Sequence, residues 1–269
     1  MELYQLFQYA FIQKAFLAGS FIAISCACLG LFLVLRKMSL IGDGLSHVSF
    51  GAIALGLFFG LYPFYVAIPL VIMASLLILK ISEKAKIYGD SAIGIVSAFG
   101  IAGGIILASL SNGFNVDLFS YLFGNILAVS TNEVITSVFL SLVVLITIYF
   151  FYWDLFSVTF DLEYAKTTGI KPNFINSLLT ILTAVVVVLS IKVVGIMLVS
   201  ALLILPAVTA LQISKKFKTT LFISCITSFI SVFLGIAISF LIDLPTGATI
   251  VMINAFFFTT AFFSKRLQR

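Results

Sequence analysis

Asp43 and His47 stand four residues apart in the stretch Arg36-Lys37-Met38-Ser39-Leu40-Ile41-Gly42-Asp43-Gly44-Leu45-Ser46-His47-Val48-Ser49-Phe50-Gly51. On a helix this spacing puts a carboxylate and an imidazole on one face, about one turn apart. A carboxylate oxygen with an imidazole nitrogen suits zinc, manganese or iron(II). His47 is the only histidine in the chain. Ser46 and Ser49 add hydroxyls nearby as candidates to line a path. Gly42, Gly44 and Gly51 allow close helix approach or local unwinding. Two bland readings stay open on spacing alone. Asp43 also suits the start of a helix, and His47 also suits a hydrogen-bonded core position.

The surroundings give the pair its weight. Of 269 residues, 62% are hydrophobic and 9% charged, against about 25% charged in a soluble chain. That is too little charge to cover a water-facing surface. The apolar residues fall in runs near the 20 residues that a membrane span needs. The runs cover about 15–35, 39–60, 63–81, 91–110, 134–153, 174–190, 193–213, 219–241 and 245–263. An apolar stretch at 118–129 is too short to span. The expected fold is all-α, a polytopic membrane protein with eight or nine transmembrane helices. An ionisable residue inside such a run is costly and by default marks a functional path.

Basic residues set the orientation. If the first helix runs inward, thirteen lysines and arginines lie in the cytoplasm and only Lys14 and Lys192 outside. Positive-inside favours that choice and a cytoplasmic C-terminus. The net charge of +5 then reflects contact with anionic lipid, not nucleic acid. The first run is too long for a signal-peptide core. Cys26, Cys28 and Cys225 all lie in apolar runs. They read as small buried residues, with no disulfide framework.

The one sizeable cytoplasmic segment is 154–173. Thr159 to Thr168 is expected to form a short helix, ended by Gly169 and kept from continuing by Pro172. Such a helix offers a surface to another protein, although an ordinary loop fits the pattern as well. No G-x-x-x-x-G-K-[ST] loop is present, so any ATP hydrolysis must occur in another subunit. On the outer side, Asp117 and Glu133 face incoming cations; Asp243, in the loop between the last two helices, suits gating of entry, contact with a delivery protein or a plain wet turn; and Asp90 lies near the start of the fourth helix.

Five blocks, in order, resemble the permease subunits of bacterial ABC importers for zinc, manganese and iron(II). They are Arg36 to Gly51; Asp117-Leu118-Phe119-Ser120-Tyr121-Leu122-Phe123-Gly124-Asn125-Ile126-Leu127; and Asp161-Leu162-Glu163-Tyr164-Ala165 with Gly169-Ile170. The last two are Val194-Gly195-Ile196-Met197-Leu198-Val199 with Pro206-Ala207 and Thr209-Ala210, and Asp243-Leu244-Pro245-Thr246-Gly247-Ala248. The resemblance implies one transmembrane permease domain over 1–269, with the ABC importer permease fold of the cobalamin-importer-like type. It implies two cytoplasmic ATPases, an extracytoplasmic metal-binding protein and a second permease copy, in the cytoplasmic (inner) membrane. It matches Asp43 and His47 to the family's acidic and histidine positions on the path. It makes 159–170 the coupling helix, with Asp161, Glu163, Ala165 and Gly169 at the ATPase contact. No cofactor is expected to stay bound; the metal ion is cargo, and ATP belongs to the partner. Gly44 and Val48 stand where many relatives carry alanine or another small residue. Ser49-Phe50 replaces a common Leu-Pro. Zinc is taken first among the three metals.

Three rivals are weighed. A stand-alone secondary carrier needs coupling-ion sites with several intramembrane charges. An ABC permease for a metal chelate needs no metal-ligating histidine. A membrane metalloprotease needs more ligands and a base, as in H-E-x-x-H, and one histidine argues against it.

Overall fold

The computed structural model describes residues 9–85, 88–110, 121–122, 124 and 129–267, without the side chains at 192, 266 and 267. The described residues form eleven α-helices. They are α1 Ala10–Leu35, α2 Ile41–Phe58, α3 Pro63–Ala85, α4 Gly89–Leu110, α5 Thr131–Phe150, α6 Tyr152–Phe160, α7 Leu162–Thr167, α8 Pro172–Val194, α9 Val199–Ile213, α10 Phe217–Ile242 and α11 Thr246–Leu267. A 3₁₀ turn, Ile196–Leu198, precedes α9.

Among these residues nine helices are long and apolar enough to cross a membrane, all but α6 and α7. The expectation of eight or nine spans therefore resolves to nine within the described chain. With no water to satisfy backbone groups in lipid, helices are the form such runs must take. The 118–129 stretch lies mostly outside the described residues.

The most buried spans are α1, α8 and α2. α1 packs against α5, α8, α9 and α10, while α2 packs chiefly against α4 and α3 and also touches α8 and α9. Several buried hydroxyls find carbonyl partners within this bundle. Ser190 donates to the Val186 carbonyl at 2.7 Å, Thr183 to Leu179 at 2.7 Å, and Ser228 crosses from α10 to the Ala23 carbonyl of α1 at 2.9 Å. Cys26 and Cys28 turn to different helices, as two-residue spacing requires. Cys26 Sγ lies 3.2 Å from Ser190 Oγ on α8, and Cys28 Sγ lies 3.4 Å from Cys225 Sγ on α10.

Two local expectations are corrected. The segment 154–173 is no loop. α5 gives way to α6 at Phe151, and the single helix expected over Thr159–Thr168 is broken at Asp161. Asp161 adopts extended backbone (φ −146°, ψ 99°), and its carboxylate accepts from the Tyr164 amide at 2.9 Å. An aspartate able to cap a new helix start ends the old one there. Gly169 then terminates α7 with φ +82°, the role foreseen for it. The second correction concerns Glu133, which is buried instead of facing outward. It forms a capping box at the start of α5: its carboxylate accepts from the Ser130 amide at 2.8 Å, and its own amide donates to Ser130 Oγ at 3.3 Å. The S-x-x-E signature was present in the sequence.

Candidate functional site

The site begins with a tight corner. α1 ends with the amides of Lys37 and Met38 donating back to Val34 (3.1 Å) and Leu33 (2.9 Å), with Lys37 in the left-handed region at φ +57°. This pair of bonds closes a helix end whose left-handed position usually holds glycine. It turns the chain within five residues into α2, so Asp43 and His47 fall in the first two turns of that helix.

His47 Nε2 lies 3.5 Å from Asp43 Oδ2, and the side chains are 30% and 47% exposed respectively. Asp43 lies in the first turn of α2, where a carboxylate suits the positive end of the helix, but it makes no capping hydrogen bond there. His47 is too open for a core histidine. Ser200, on α9, donates to Asp43 Oδ1 at 3.4 Å. Gly42 leaves room at this approach: a β-carbon there would come 2.6 Å from Leu203 Cδ1, so that the Leu203 side chain would have to turn aside. Ser200 carried no distinguishing signal in the sequence, because its partner lies 157 residues away.

Small residues hold α2 against α4. A β-carbon on Gly100 would come 2.6 Å from Val48 Cα and 3.0 Å from the His47 carbonyl oxygen, and one on Gly51 would strike the Gly100 carbonyl. The back of His47 is thus braced by the backbone of α4. Ser46 and Ser49 are buried and turned into their own helix. Ser46 donates to the Asp43 carbonyl at 2.7 Å and Ser49 to the Leu45 carbonyl at 2.8 Å. Among the described residues no cluster of three or more His, Cys, Asp and Glu could hold a metal ion. Asp43 and His47 therefore stand as a carboxylate–imidazole pair with no third such side chain beside them among the described residues.

The remaining candidates fall at the two ends of the bundle. Asp243 is the exposed C-cap of α10, in the left-handed region at φ +58°, which aspartate tolerates better than most residues. With Ser239 and Thr246 it lines a cavity of about 400 Å³ beside Ile12 and Ala15 of α1. Asp117 lies outside the described residues. At the opposite end, Glu163 is exposed and pairs with Lys166 at 2.9 Å, while Ala165 is buried. Lys166, Gly169, Ile170, Lys171, Asn173 and Asn176 border a cavity of about 750 Å³. Arg36, at the end of α1, donates to Asn176 Oδ1 on α8, and its other terminal nitrogen is buried without a hydrogen-bond partner. Burial lowers the Arg36 pKa from its ordinary value. Sequence reading counted Arg36 only among the basic residues of the inner face. Its long-range partner gave no pattern to follow.

An exposed α7 held by one cap gives a direct test of that local fold. Asp161→Ala is expected to cost about 1 kcal/mol of local helix stability. Hydrogen exchange should show faster exchange at Tyr164 and Ala165, with the nine spans unchanged.

The ABC 3 transport family model matches residues 8–265. The manganese transport system membrane protein MntC of Halalkalibacterium halodurans is 36% identical, over 96% of this chain and 89% of that one. The high-affinity zinc uptake system membrane protein ZnuB of Haemophilus influenzae is 31% identical, over 93% of this chain and 96% of that one. A solved structure, PsaBC from Streptococcus pneumoniae in complex with Fab, superposes with a TM-score of 0.87 at 34% identity, covering 97% of this chain and 94% of that one. With nearly its whole length matched, this chain belongs to the ABC 3 transport family.

Proposed function

We propose that this multi-pass permease carries a divalent transition metal ion past Asp43 and His47, at an interface between two copies of the chain. The observation that carries the reading is the half-open carboxylate–imidazole pair on α2, two donors 3.5 Å apart with no third ligand beside them among the described residues. A second copy related by a two-fold axis would supply a matching pair, giving four donors and a shell suited to zinc, manganese or iron(II). The relatives named for manganese and for zinc support a metal cargo. Membership of an ABC family disfavours the stand-alone carrier. The donor set accepts either metal, and the choice between them is left to measurement.

The whole chain acts as one permease domain on this reading. ATP is bound and split in cytoplasmic partner subunits, and a metal-binding protein docks on the outer face near Asp243. The nine spans place the described lysines of one end, at 80, 84, 166, 171, 215, 216, 218 and 265, on the same side as Arg36. Positive-inside favours that side as cytoplasmic, and on this reading the chain lies in the cytoplasmic membrane. There α6 and α7 form the coupling segment within about 154–173. Exposed Glu163 and the turn at Gly169 meet the ATPase, Asp161 fixes the start of α7, and buried Ala165 seats it on the bundle.

Arg36 links this segment to the site. It ties α8, which follows the coupling segment, to the corner that launches α2. Removing a hydrogen bond to a charged donor costs about 1.5–3 kcal/mol. Arg36→Gln is expected to lower metal uptake several-fold more than ATP hydrolysis by the assembled complex. Equal losses would show that Arg36 only supports the fold.

The function itself is tested in vesicles holding the permease, its ATPase and its binding protein. Uptake of manganese, zinc and iron(II) is followed with and without ATP. ATP-dependent accumulation of one of them, saturating with the loaded binding protein, is the expected result. Uptake driven by an ion gradient alone would overturn the reading.

A further inference from the structure

We propose that the junction of α5, α6 and the start of α10 is a binding site for an anionic phospholipid headgroup. A cavity of about 570 Å³ opens there, lined by Tyr149, Phe150, Tyr152, Trp153, Lys218 and Leu221. Its aromatic walls are displayed outward: Tyr149 is 79% exposed, Phe150 76% and Trp153 65%. These residues stand where the α5 span ends and α6 leaves it. Tyrosine and tryptophan concentrate at this depth because their rings suit the acyl boundary and their polar atoms suit the headgroups.

Charge identifies the occupant. Lys218 Nζ sits 5.5 Å from the centroid of the Trp153 ring, at the rim of the cavity. Lys215 and Lys216 are exposed just before it. Phe217 anchors the run, with its ring 5.1 Å from Phe156, 5.9 Å from Tyr152 and 5.3 Å from Phe32. Lys218 is therefore presented on the first turn of an anchored helix, with Lys215 and Lys216 in the short bend that leads into it. Among the described residues none of the three pairs with a carboxylate, half-buried Asp154 beside Trp153 included. One cation at the rim of an aromatic-walled groove, with two more exposed in the turn just before it, suits a phosphate ester whose chains lie along the exposed face of α5. α5 and α10 both pack on α1, whereas α2 packs with α3 and α4, so this surface is distinct from the Asp43 and His47 face.

The test uses the full-length permease stripped of lipid in detergent and titrated with phosphatidylglycerol or phosphatidylcholine, with bound lipid read by native mass spectrometry. Phosphatidylglycerol is expected to be retained preferentially. Its apparent affinity should fall roughly fivefold per lysine on Lys218→Gln and then Lys215→Gln and Lys216→Gln. Trp153→Ala should weaken it further, and Lys84→Gln, an exposed lysine on α3, should leave it unchanged. Equal retention of the two lipids, or full retention by the triple lysine variant, would overturn the proposal. So would displacement of the lipid by millimolar inorganic phosphate, which would mark a free-anion site. Cross-linking between chains through Trp153→Cys would give the surface to a second copy and overturn it as well.

Discussion

Asp43→Ala and His47→Ala are each expected to reduce ATP-dependent metal uptake by at least about 10-fold, the lower end of what even outer-shell partners of metal sites contribute. Thermal stability of the purified permease should barely change. The two expectations follow from one geometry. The side chains are 47% and 30% exposed, and a partly solvated pair of this kind contributes about 0–1 kcal/mol to folding. In the proposed role as metal donors their worth would be far larger, because each would supply a quarter of a four-donor shell with no replacement beside them among the described residues. The loss of activity therefore separates from any loss of fold. Ser200→Ala should act more weakly, since its hydroxyl orients Asp43 at 3.4 Å and does not itself complete the pair. A variant that kept the carboxylate, Asp43→Glu, moves the oxygens by one methylene and should retain part of the activity. The measurement is initial uptake rate against the loaded binding protein, paired with the unfolding midpoint of each variant.

Gly100→Leu is expected to be strongly damaging at the α2–α4 contact. Even a β-carbon at that position comes 2.6 Å from Val48 Cα and 3.0 Å from the His47 carbonyl oxygen. Both atoms belong to backbone, which cannot rotate aside as a side chain can. Overpacking a well-filled interior costs about 1–3 kcal/mol, and a leucine pressed on helix backbone belongs at the upper end. α2 must shift, and His47 moves with it. The expected result is a lowered unfolding midpoint together with uptake reduced even in the properly inserted fraction. Gly94→Leu is the matching control. A β-carbon there meets nothing within 4 Å, so that variant should keep its midpoint. Equal damage from both would show that α4 tolerates no added bulk anywhere, and the close contact would lose its special standing.

The spans were legible because they rest on composition and length, which lipid enforces without reference to tertiary contacts. The Asp43–His47 pair was legible for a related reason: both side chains lie on one helix, and helical spacing alone places them together. What was missed lies across the sequence. Ser200 meets Asp43, and Arg36 meets Asn176, through folding that brings distant helices into register, and no local period encodes either contact. The break at Asp161 was misread for a different reason. The stretch from Thr159 to Thr168 has no helix-breaking residue before Gly169, and only the capping ability of one aspartate divides it. Glu133 is the case where the signal was available. Ser130 and Glu133 carry the capping-box spacing, yet acidity at the outer face was weighed first.

The claim that the ion passes Asp43 and His47 is tested most directly by letting the ion mark its own path. Vesicles in turnover are loaded with iron(II) and exposed briefly to peroxide, so that the metal oxidises the side chains that hold it. Modified residues are then located by peptide mass spectrometry. The predicted result is oxidation concentrated at His47, dependent on ATP and suppressed by excess manganese or zinc. An unmodified His47, with metal-dependent oxidation at another set of residues within the spans, would contradict the account and move the path elsewhere.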